Sequence, residues 1–109
     1  MTTSLPILCE PRLDLEAPDI ADAVSTAALL ADRTRASILA MLRGGPHCVC
    51  ELAAAIGERE NNVSNHLARL RDAGLVRASR HEANARFLYY ERDEKAIARA
   101  RAALFEALG

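Results

Sequence analysis

Hydrophobic residues recur at every third or fourth position along much of the chain, which predicts a mainly helical protein. A first helix is expected from Pro18 onward. Its apolar residues Ile20, Val24, Ala27 and Ala28 fall at i, i+4, i+7 and i+8. A second helix is expected over residues 33–43, because Asp32 can cap its start and two glycines follow its end. The inward positions of this second helix are Ile38, Leu39 and Leu42.

The middle of the chain predicts a helix-turn-helix. A short helix over residues 49–56 ends at Gly57, and a longer helix over residues 61–73 ends at Gly74, since glycine readily takes the left-handed conformation that closes a helix. The apolar face of the longer helix consists of Val63, Leu67 and Leu70. A short helix, a tight turn and a second helix with a polar outer face form the arrangement by which many proteins read DNA.

After Gly74 the pattern alternates with a period of two, which predicts a β-hairpin with strands over residues 75–80 and 86–90 and a polar loop over residues 81–85. Asp93 is expected to begin a last helix. The apolar stripe of this helix consists of Ile97, Ala100, Leu104 and Leu108. We expect the stripe to pair with the first helix and its symmetry mate in a homodimer, although a helix lying on its own core fits the pattern nearly as well. The predicted fold class is mainly α with a small β-hairpin, a winged helix-turn-helix.

Length and composition indicate one small intracellular domain. A chain of 109 residues suffices for a single core, which we place at residues 17–109, after an N-terminal arm of residues 1–16. The sequence shows neither a signal peptide nor a long apolar run, so a cytoplasmic protein without a membrane partner is expected. Thiols stay reduced there, and the odd number of three cysteines leaves metal or redox chemistry open.

The formal net charge of -1 hides an uneven distribution of charge. Residues 1–32 hold six acidic residues and one basic residue, whereas the remainder holds thirteen basic and nine acidic residues. Thirteen of the fourteen basic residues are arginine, whose planar guanidinium suits phosphate and guanine. The basic excess therefore lies on the part of the chain that we expect to bind DNA.

The polar face of the longer helix supplies the candidate DNA-reading residues. They are Asn62, Ser64, Asn65, His66 and Arg69. Asn, Ser and His are poor helix formers, so a face that is merely solvated would more often carry Glu, Lys or Ala. An ordinary solvated face is the alternative. In the hairpin, Arg80, His81 and Arg86 could contact phosphate or the minor groove.

Cys48 and Cys50 are the candidate metal ligands. Because Pro46 suits the first turn of a helix, we expect both cysteines in the opening turns of a helix that runs to Ile56. Free N–H groups at a helix start lower the pKa of a thiol and favour the thiolate that binds metal. Side chains two positions apart on a helix point to nearly opposite sides, so binding of one ion by both thiols should deform the helix start. The alternative is that both are small buried hydrophobic residues.

Several segments together resemble the ArsR/SmtB family of metal-sensing repressors, and the resemblance spans roughly residues 19–107. The segments are Cys48-Val49-Cys50-Glu51-Leu52, Asn62-Val63-Ser64-Asn65-His66-Leu67, Leu70-Arg71-Asp72-Ala73-Gly74-Leu75-Val76 and Phe87-Leu88-Tyr89-Tyr90. With Leu8-Cys9-Glu10 ahead of the first helix, the chain is most similar to the CadC-like cadmium/lead repressors of that family. The resemblance implies a homodimer on an imperfect inverted repeat of double-stranded operator DNA, which represses an efflux gene until metal releases it. It also implies a metal site that joins Cys48 and Cys50 of one subunit to Cys9 of the other.

The chain departs from this pattern at three positions. Leu13 stands where cadmium/lead repressors carry a second arm cysteine, and Lys95 stands where the second metal site of the family uses His. Arg59 stands where a Thr commonly caps the recognition helix. We therefore expect three sulfur ligands, no second metal site, and a cap supplied by Glu60 or Asn61.

Three thiolates suit soft ions. Cd(II) or Pb(II) is the expected inducer, with His47, Glu10 or water as a candidate fourth ligand. As(III) is the main alternative, because it favours three sulfurs, whereas Zn(II) would require a closed set of four ligands. Two other functions remain open. One is a thiol redox switch on the same cysteines, in which disulfide formation replaces metal binding. The other is a winged helix that binds protein and does not bind DNA. An enzyme with Cys48 as nucleophile is not expected, because the sequence offers no acid to orient a histidine base and no oxyanion loop.

Overall fold

The computed structural model describes residues 18–81 and 84–109. Within these residues the chain forms five helices and three short strands. In chain order they are α1 (Pro18–Leu30), α2 (Arg33–Leu42), β1 (His47–Cys48), α3 (Val49–Ile56), α4 (Glu60–Asp72), β2 (Val76–His81), β3 (Asn84–Arg92) and α5 (Glu94–Leu108). The five predicted helices and the hairpin are thus confirmed, and the predicted arm lies outside the described residues.

Local capping chemistry sets most of the helix ends. The carboxylate of Asp32 accepts a hydrogen bond from the backbone N–H of Arg35 at 3.0 Å, as expected for the residue that begins α2. Gly57 and Gly74 both have a φ of 83°, so the predicted left-handed stops after α3 and α4 are confirmed.

The start of α4 differs from the prediction. The helix begins at Glu60, and its N-cap is Arg59, whose side chain makes no capping hydrogen bond. The prediction that Glu60 or Asn61 would be the cap was therefore wrong. Glu60 instead lies in the first turn, where a negative charge interacts favourably with the helix dipole.

The core lies between α2, α3 and α4. Its five largest fully buried side chains are Ile38, Leu52, Val63, Leu67 and Leu70. Leu39 and Leu42, which the sequence also placed inward, are buried as well. Because α3 and α4 share this core, the two helices are held in a fixed relation, which is the helix-turn-helix that the sequence predicted.

The sheet has one strand more than the predicted two-stranded hairpin. Its order is β1-β3-β2, and β3 pairs antiparallel with both neighbours. The added strand places His47 opposite Tyr90 and Cys48 opposite Tyr89. A strand of two residues is too short to show a period of two, which is why the sequence pattern did not reveal it.

Helices α1 and α5 pack against each other at one side of the core. The residues of α1 that are buried are Ala23 and Thr26, whereas Val24, Ala27 and Ala28 of the apolar repeat are exposed in the single chain. Apolar spacing thus predicted the helix, but it does not show what covers the apolar face. None of the helices in residues 18–81 and 84–109 combines the length and apolar character that a membrane span requires.

Candidate functional site

Cys48 and Cys50 lie at the junction of β1 and α3. Cys48 has extended backbone angles (φ -85°, ψ 167°) and is the N-cap of α3, whereas Cys50 is in the first helical turn. Cys48 was therefore wrongly predicted to lie within the helix. Because the chain is extended at Cys48, the two side chains do not diverge as they would on a regular helix, and both line the same cavity. The fold thus brings two candidate sulfur ligands together without deformation of the helix.

The neighbouring sulfur also affects the protonation of Cys50. Donation of the Cys50 S–H to the Cys48 sulfur raises the pKa of the Cys50 thiol, and burial and the charge of Glu60 act in the same direction. A backbone hydrogen bond from Glu51 lowers this pKa but does not offset the other effects. The predicted lowering of the pKa by the helix start is therefore wrong for Cys50, because the neighbouring sulfur has the larger effect.

Glu51 connects the neighbouring strand to the start of α3. Its carboxylate accepts the backbone N–H of Cys48 at 3.0 Å and lies 3.3 Å from Nδ1 of His47. The hydrogen bond from Cys48 and the contact with His47 lower the pKa of Glu51. Glu51 thereby forms a capping box with Cys48, and this pairing fixes the backbone of the sulfur site.

Residues that the sequence reasoning missed complete the surroundings of the thiols. A cavity of about 160 Å³ at the site is lined by Cys48, Val49, Cys50, Glu60, Phe87 and Leu88. Tyr89 lies opposite Cys48 in the sheet, and burial together with the charges of Glu51 and the two cysteines raises the pKa of its phenol. The pairing of β1 with β3 brings this part of the hairpin next to the cysteines. Because the sequence pattern did not predict β1, it could not identify these neighbours.

The described residues supply part of a metal site. Two adjacent thiols suit a soft ion, but within residues 18–81 and 84–109 no group of three or more His, Cys, Asp or Glu side chains is arranged to hold one. Cys9 and Glu10, which were predicted as ligands, lie outside the described residues. Cys48 and Cys50 would hold a soft ion together with at least one donor from elsewhere.

The outer face of α4 carries the predicted DNA-reading residues. Ser64, Asn65 and Arg69 are exposed. Asn62 is half-buried, and its Nδ2 donates a hydrogen bond to Oε1 of Glu58 at 2.6 Å. The sequence therefore placed these four side chains correctly at or near the surface of the helix.

His66 is held differently from the other predicted residues of α4. Its Nδ1 lies 3.2 Å from Nη1 of Arg35 and 3.8 Å from Oδ1 of Asp32. The sequence reasoning missed Arg35, although its spacing from Ile38 and Leu39 places it on the inward face of α2. An arginine at an otherwise apolar position was the signal that could have identified it.

The hairpin presents further basic side chains. Arg77 and Arg80 of β2 are both exposed. Arg77 is paired through Nε with Glu91 at 2.9 Å and through Nη1 with Asp93 at 3.6 Å. The side chains of His81 and Arg86, both predicted to contact DNA, lie outside the described residues.

Comparison with known proteins identifies the family. The model of the family described as "Bacterial regulatory protein, arsR family" matches residues 32–78, which include both cysteines and all of α2, α3 and α4. A solved structure described as a possible transcriptional regulator for arsenical resistance shares 32% sequence identity, covers 77% of this chain and 83% of its own, and has a TM-score of 0.68. The chain belongs to the ArsR family. The predicted resemblance to ArsR/SmtB proteins is confirmed at this level.

Two further relatives are named transcriptional regulators. The transcriptional regulator NmtR of Mycobacterium tuberculosis is 42% identical over 66 residues, which are 61% of this chain and 55% of that protein. The arsenical resistance operon repressor of Escherichia coli is 43% identical over 49 residues, which are 44% of this chain and 42% of that protein. The chain thus spans about half the length of the curated relatives it matches.

Proposed function

We propose that this ArsR-family chain is a metal-responsive transcriptional repressor, which binds operator DNA as a homodimer and leaves it when a soft ion binds to its thiolates. Cd(II) or Pb(II) is the proposed inducer. The observation that supports this function most directly is that Cys48 and Cys50 line one cavity at the start of α3. That helix directly precedes the helix whose exposed face suits DNA.

The DNA-binding half of the proposal is supported by the surface of α4. Ser64, Asn65 and Arg69 are exposed on one helix, and these side chains can donate and accept hydrogen bonds at base edges. The remaining proposed contacts are Asn62, His66, Arg80 and Arg86. In a homodimer, two copies of α4 would have to match major grooves about 34 Å apart.

The coupling between the two halves is supported by packing. Leu52 of α3 and Leu67 of α4 are fully buried in one core, so a movement of α3 displaces its neighbour. Glu60 of α4 also lines the cavity next to the thiols. A change in the position of Cys48 or Cys50 would therefore reach α4 both through the core and through its first turn.

The proposed ligands are Cys48, Cys50 and Cys9 of the partner subunit in the homodimer. A soft ion supplies strong bonds to thiolate sulfur when it is bound. Cys48 and Cys50 would fix the N-cap and first turn of α3 relative to each other, and the third sulfur would connect them to the arm. A coupling of roughly 3 to 5 kcal/mol between metal and DNA binding would suffice to empty the operator.

Arsenite is a second candidate inducer. Two observations favour it: the proposed site has three sulfurs, which As(III) prefers, and the Escherichia coli relative is named as an arsenical resistance repressor. Cd(II) would require a fourth ligand, such as His47, Glu10 or water. Zn(II) fits the site less well, because it prefers a closed set of four.

The position of Cys48 and Cys50 on one cavity also favours a thiol redox switch as an alternative signal. Oxidation would join Cys48 and Cys50 or connect one of them to Cys9. Reversible loss of DNA binding on treatment of the protein with peroxide in the presence of a chelator would identify this signal.

The proposed function is tested by titration of the reduced, metal-free protein with Cd(II), Pb(II) and arsenite. Ultraviolet absorption and binding to an operator duplex are followed in parallel for wild type, Cys48→Ser and Cys9→Ser. We expect intense thiolate-to-metal bands that saturate as DNA is released and that weaken in both variants. Cys48→Ser should still bind DNA but no longer respond to the ion. Loss of DNA binding by metal-free Cys48→Ser would instead show that the cysteine is structural.

A further inference from the structure

Arg35 is a charged side chain inside the fold, with only 8% of its surface exposed. Its guanidinium is always protonated and carries donors but no acceptor. Burial of such a group is costly unless its donors are satisfied. The partners of Arg35 therefore show what the residue does.

These partners come from three elements. Nε donates to the backbone carbonyl of Leu29 at 2.7 Å, and Nη2 donates to the carbonyl of Ala28 at 3.2 Å. Nη1 lies 4.0 Å from the carboxylate of Asp32 and 3.2 Å from Nδ1 of His66. Arg35 thus connects the end of α1 and the start of α2 to a side chain of α4.

The contact with His66 determines which nitrogen of the ring carries the proton. Because the guanidinium can only donate, Nδ1 must be the acceptor and must be unprotonated. In the neutral ring, the proton is then on Nε2. A charged ring would place two donors and two positive charges 3.2 Å apart. Oδ1 of Asp32, the carboxylate oxygen nearest to Nδ1, is 3.8 Å away, which is too far for a hydrogen bond.

We propose that Arg35 is a positioning residue that holds His66 as the neutral Nε2–H tautomer, so that α4 offers DNA a hydrogen-bond donor at this position. This inference rests on the proposed function. The donor fits an acceptor on DNA, which is either a base-edge atom such as N7 or O6 of guanine or a phosphate oxygen. It does not fit the amino group of cytosine. The ring is 18% exposed, which leaves part of it accessible for such a contact.

Two substitutions of His66 test whether DNA binding depends on the hydrogen-bonding groups of the ring or only on its size. In His66→Gln, the side-chain carbonyl can accept from Arg35 while the amide N–H₂ donates outward, which reproduces both roles of the neutral ring. In His66→Leu, neither role remains. We expect the Gln variant to bind operator DNA within roughly threefold of wild type and the Leu variant to bind roughly tenfold or more weakly. Equal loss in the two variants would overturn the proposal.

Arg35→Met tests the positioning residue itself, and Arg33→Met is the matched control because Arg33 is exposed on the same helix. We expect Arg35→Met to reduce operator affinity roughly tenfold or more. In the control, affinity should fall only by the contribution of one surface charge. Thiolate-to-metal absorption should be unchanged in both variants. Wild-type affinity in Arg35→Met would overturn the proposal.

The tautomer is read directly by ¹⁵N nuclear magnetic resonance of the imidazole rings in the metal-free full chain. His66→Gln assigns the signals of His66 by their absence. We expect an unprotonated Nδ1 in wild type and a change of its chemical shift in Arg35→Met. A protonated Nδ1 in wild type would overturn the proposal, and this holds even where Arg35→Met does not fold.

The same variants show whether His66 donates to a base or to a phosphate. They also allow the tautomer to be tested separately from the proposed function. If His66 donates to a phosphate, His66→Leu weakens binding to specific and unrelated duplexes alike. If it donates to a base, only binding to the specific duplex is weakened. Wild-type protein that binds no duplex would contradict the proposed function. The resonance experiment would still decide the tautomer.

Discussion

The two cysteines of the candidate site differ in access although both line the same cavity. Cys48 is buried with 6% of its surface exposed, whereas Cys50 is exposed. The difference arises because Cys48 pairs with β3 while Cys50 is on the helix that follows. The two thiols should therefore react at different rates in the metal-free protein.

We predict that a thiol-modifying reagent reacts with Cys50 at least roughly tenfold faster than with Cys48 in the reduced, metal-free protein. The physical reason is access to the sulfur. Because the pKa of Cys50 is raised above its ordinary value of 9.0, its thiolate fraction at neutral pH is smaller than that of an ordinary thiol, and the reaction should still accelerate above pH 9.0. Mass spectrometry of peptides after timed alkylation gives the two rates.

Cys48→Ala is the informative variant for this prediction. It removes the hydrogen bond that is the largest cause of the raised pKa of Cys50, so Cys50 should react faster at neutral pH than in wild type. Slower reaction of Cys50 in this variant would show that the contact with Cys48 does not control its protonation.

At the scale of elements, the start of α5 depends on one carboxylate. Asp93 accepts the backbone N–H of Ala96 at 3.1 Å. This hydrogen bond, and the charge of Arg77, lower the pKa of Asp93 below its ordinary value of 3.8. A lowered carboxyl pKa stabilises the folded state above pH 3.8, and this contribution is lost as the pH falls through the pKa of the folded state.

We therefore predict that Asp93→Ala lowers the Tm by about 5 °C at neutral pH and that the difference from wild type shrinks below pH 3.8. Asp93→Asn is the control, since asparagine also caps a helix but does not titrate. Its difference from the alanine variant should not depend on pH. Thermal unfolding followed by circular dichroism over this pH range provides the measurement, and a pH-independent effect of Asp93→Ala would contradict the assigned role of its charge.

The two faces of α4 predict opposite consequences of substitution. Leu67 is fully buried, so Leu67→Ala should lower the free energy of unfolding by roughly 2 to 5 kcal/mol. Asn65 is exposed, so Asn65→Ala should change it by less than about 0.5 kcal/mol and, on the proposed function, should weaken operator binding roughly tenfold. Urea unfolding and DNA titration measure the two effects, and a large stability loss in Asn65→Ala would contradict the assignment of the outer face.

The elements were more predictable from the sequence than the site was. Long periodic segments and glycine stops gave the helices, because the spacing of Val63, Leu67 and Leu70 and the position of Gly57 are local signals. The sequence wrongly predicted Cys48 to be helical, because Pro46 two residues earlier suits a helix start. In the structure, pairing with Tyr89 of β3 holds Cys48 in an extended conformation. The sequence predicted Cys48 and Cys50 as ligands, but only tertiary structure showed that both line one cavity.

At the scale of the whole molecule, the single chain leaves large apolar side chains uncovered at α1 and α5. Val24 is 63% exposed, Phe105 is 74% exposed and Leu108 is 86% exposed. Phe105 and Leu108 lie three residues apart and share a face of α5. Exposed apolar groups on two helices that pack together are typical of a protein interface, which supports the proposed homodimer.

The last prediction follows from that surface. Phe105→Glu places a charge in the proposed interface and should convert the dimer to a monomer, because burial of an unpaired carboxylate is costly. Wild type should show a Tm that rises with protein concentration, whereas the variant should have a lower Tm that does not depend on concentration. Ala54→Glu, at an exposed position of α3, is the matched control and should remain dimeric. Sedimentation equilibrium gives the masses. A wild-type mass of one chain at every concentration would contradict the homodimer, and with it the proposed pairing of Cys9 with the cysteines of the partner subunit.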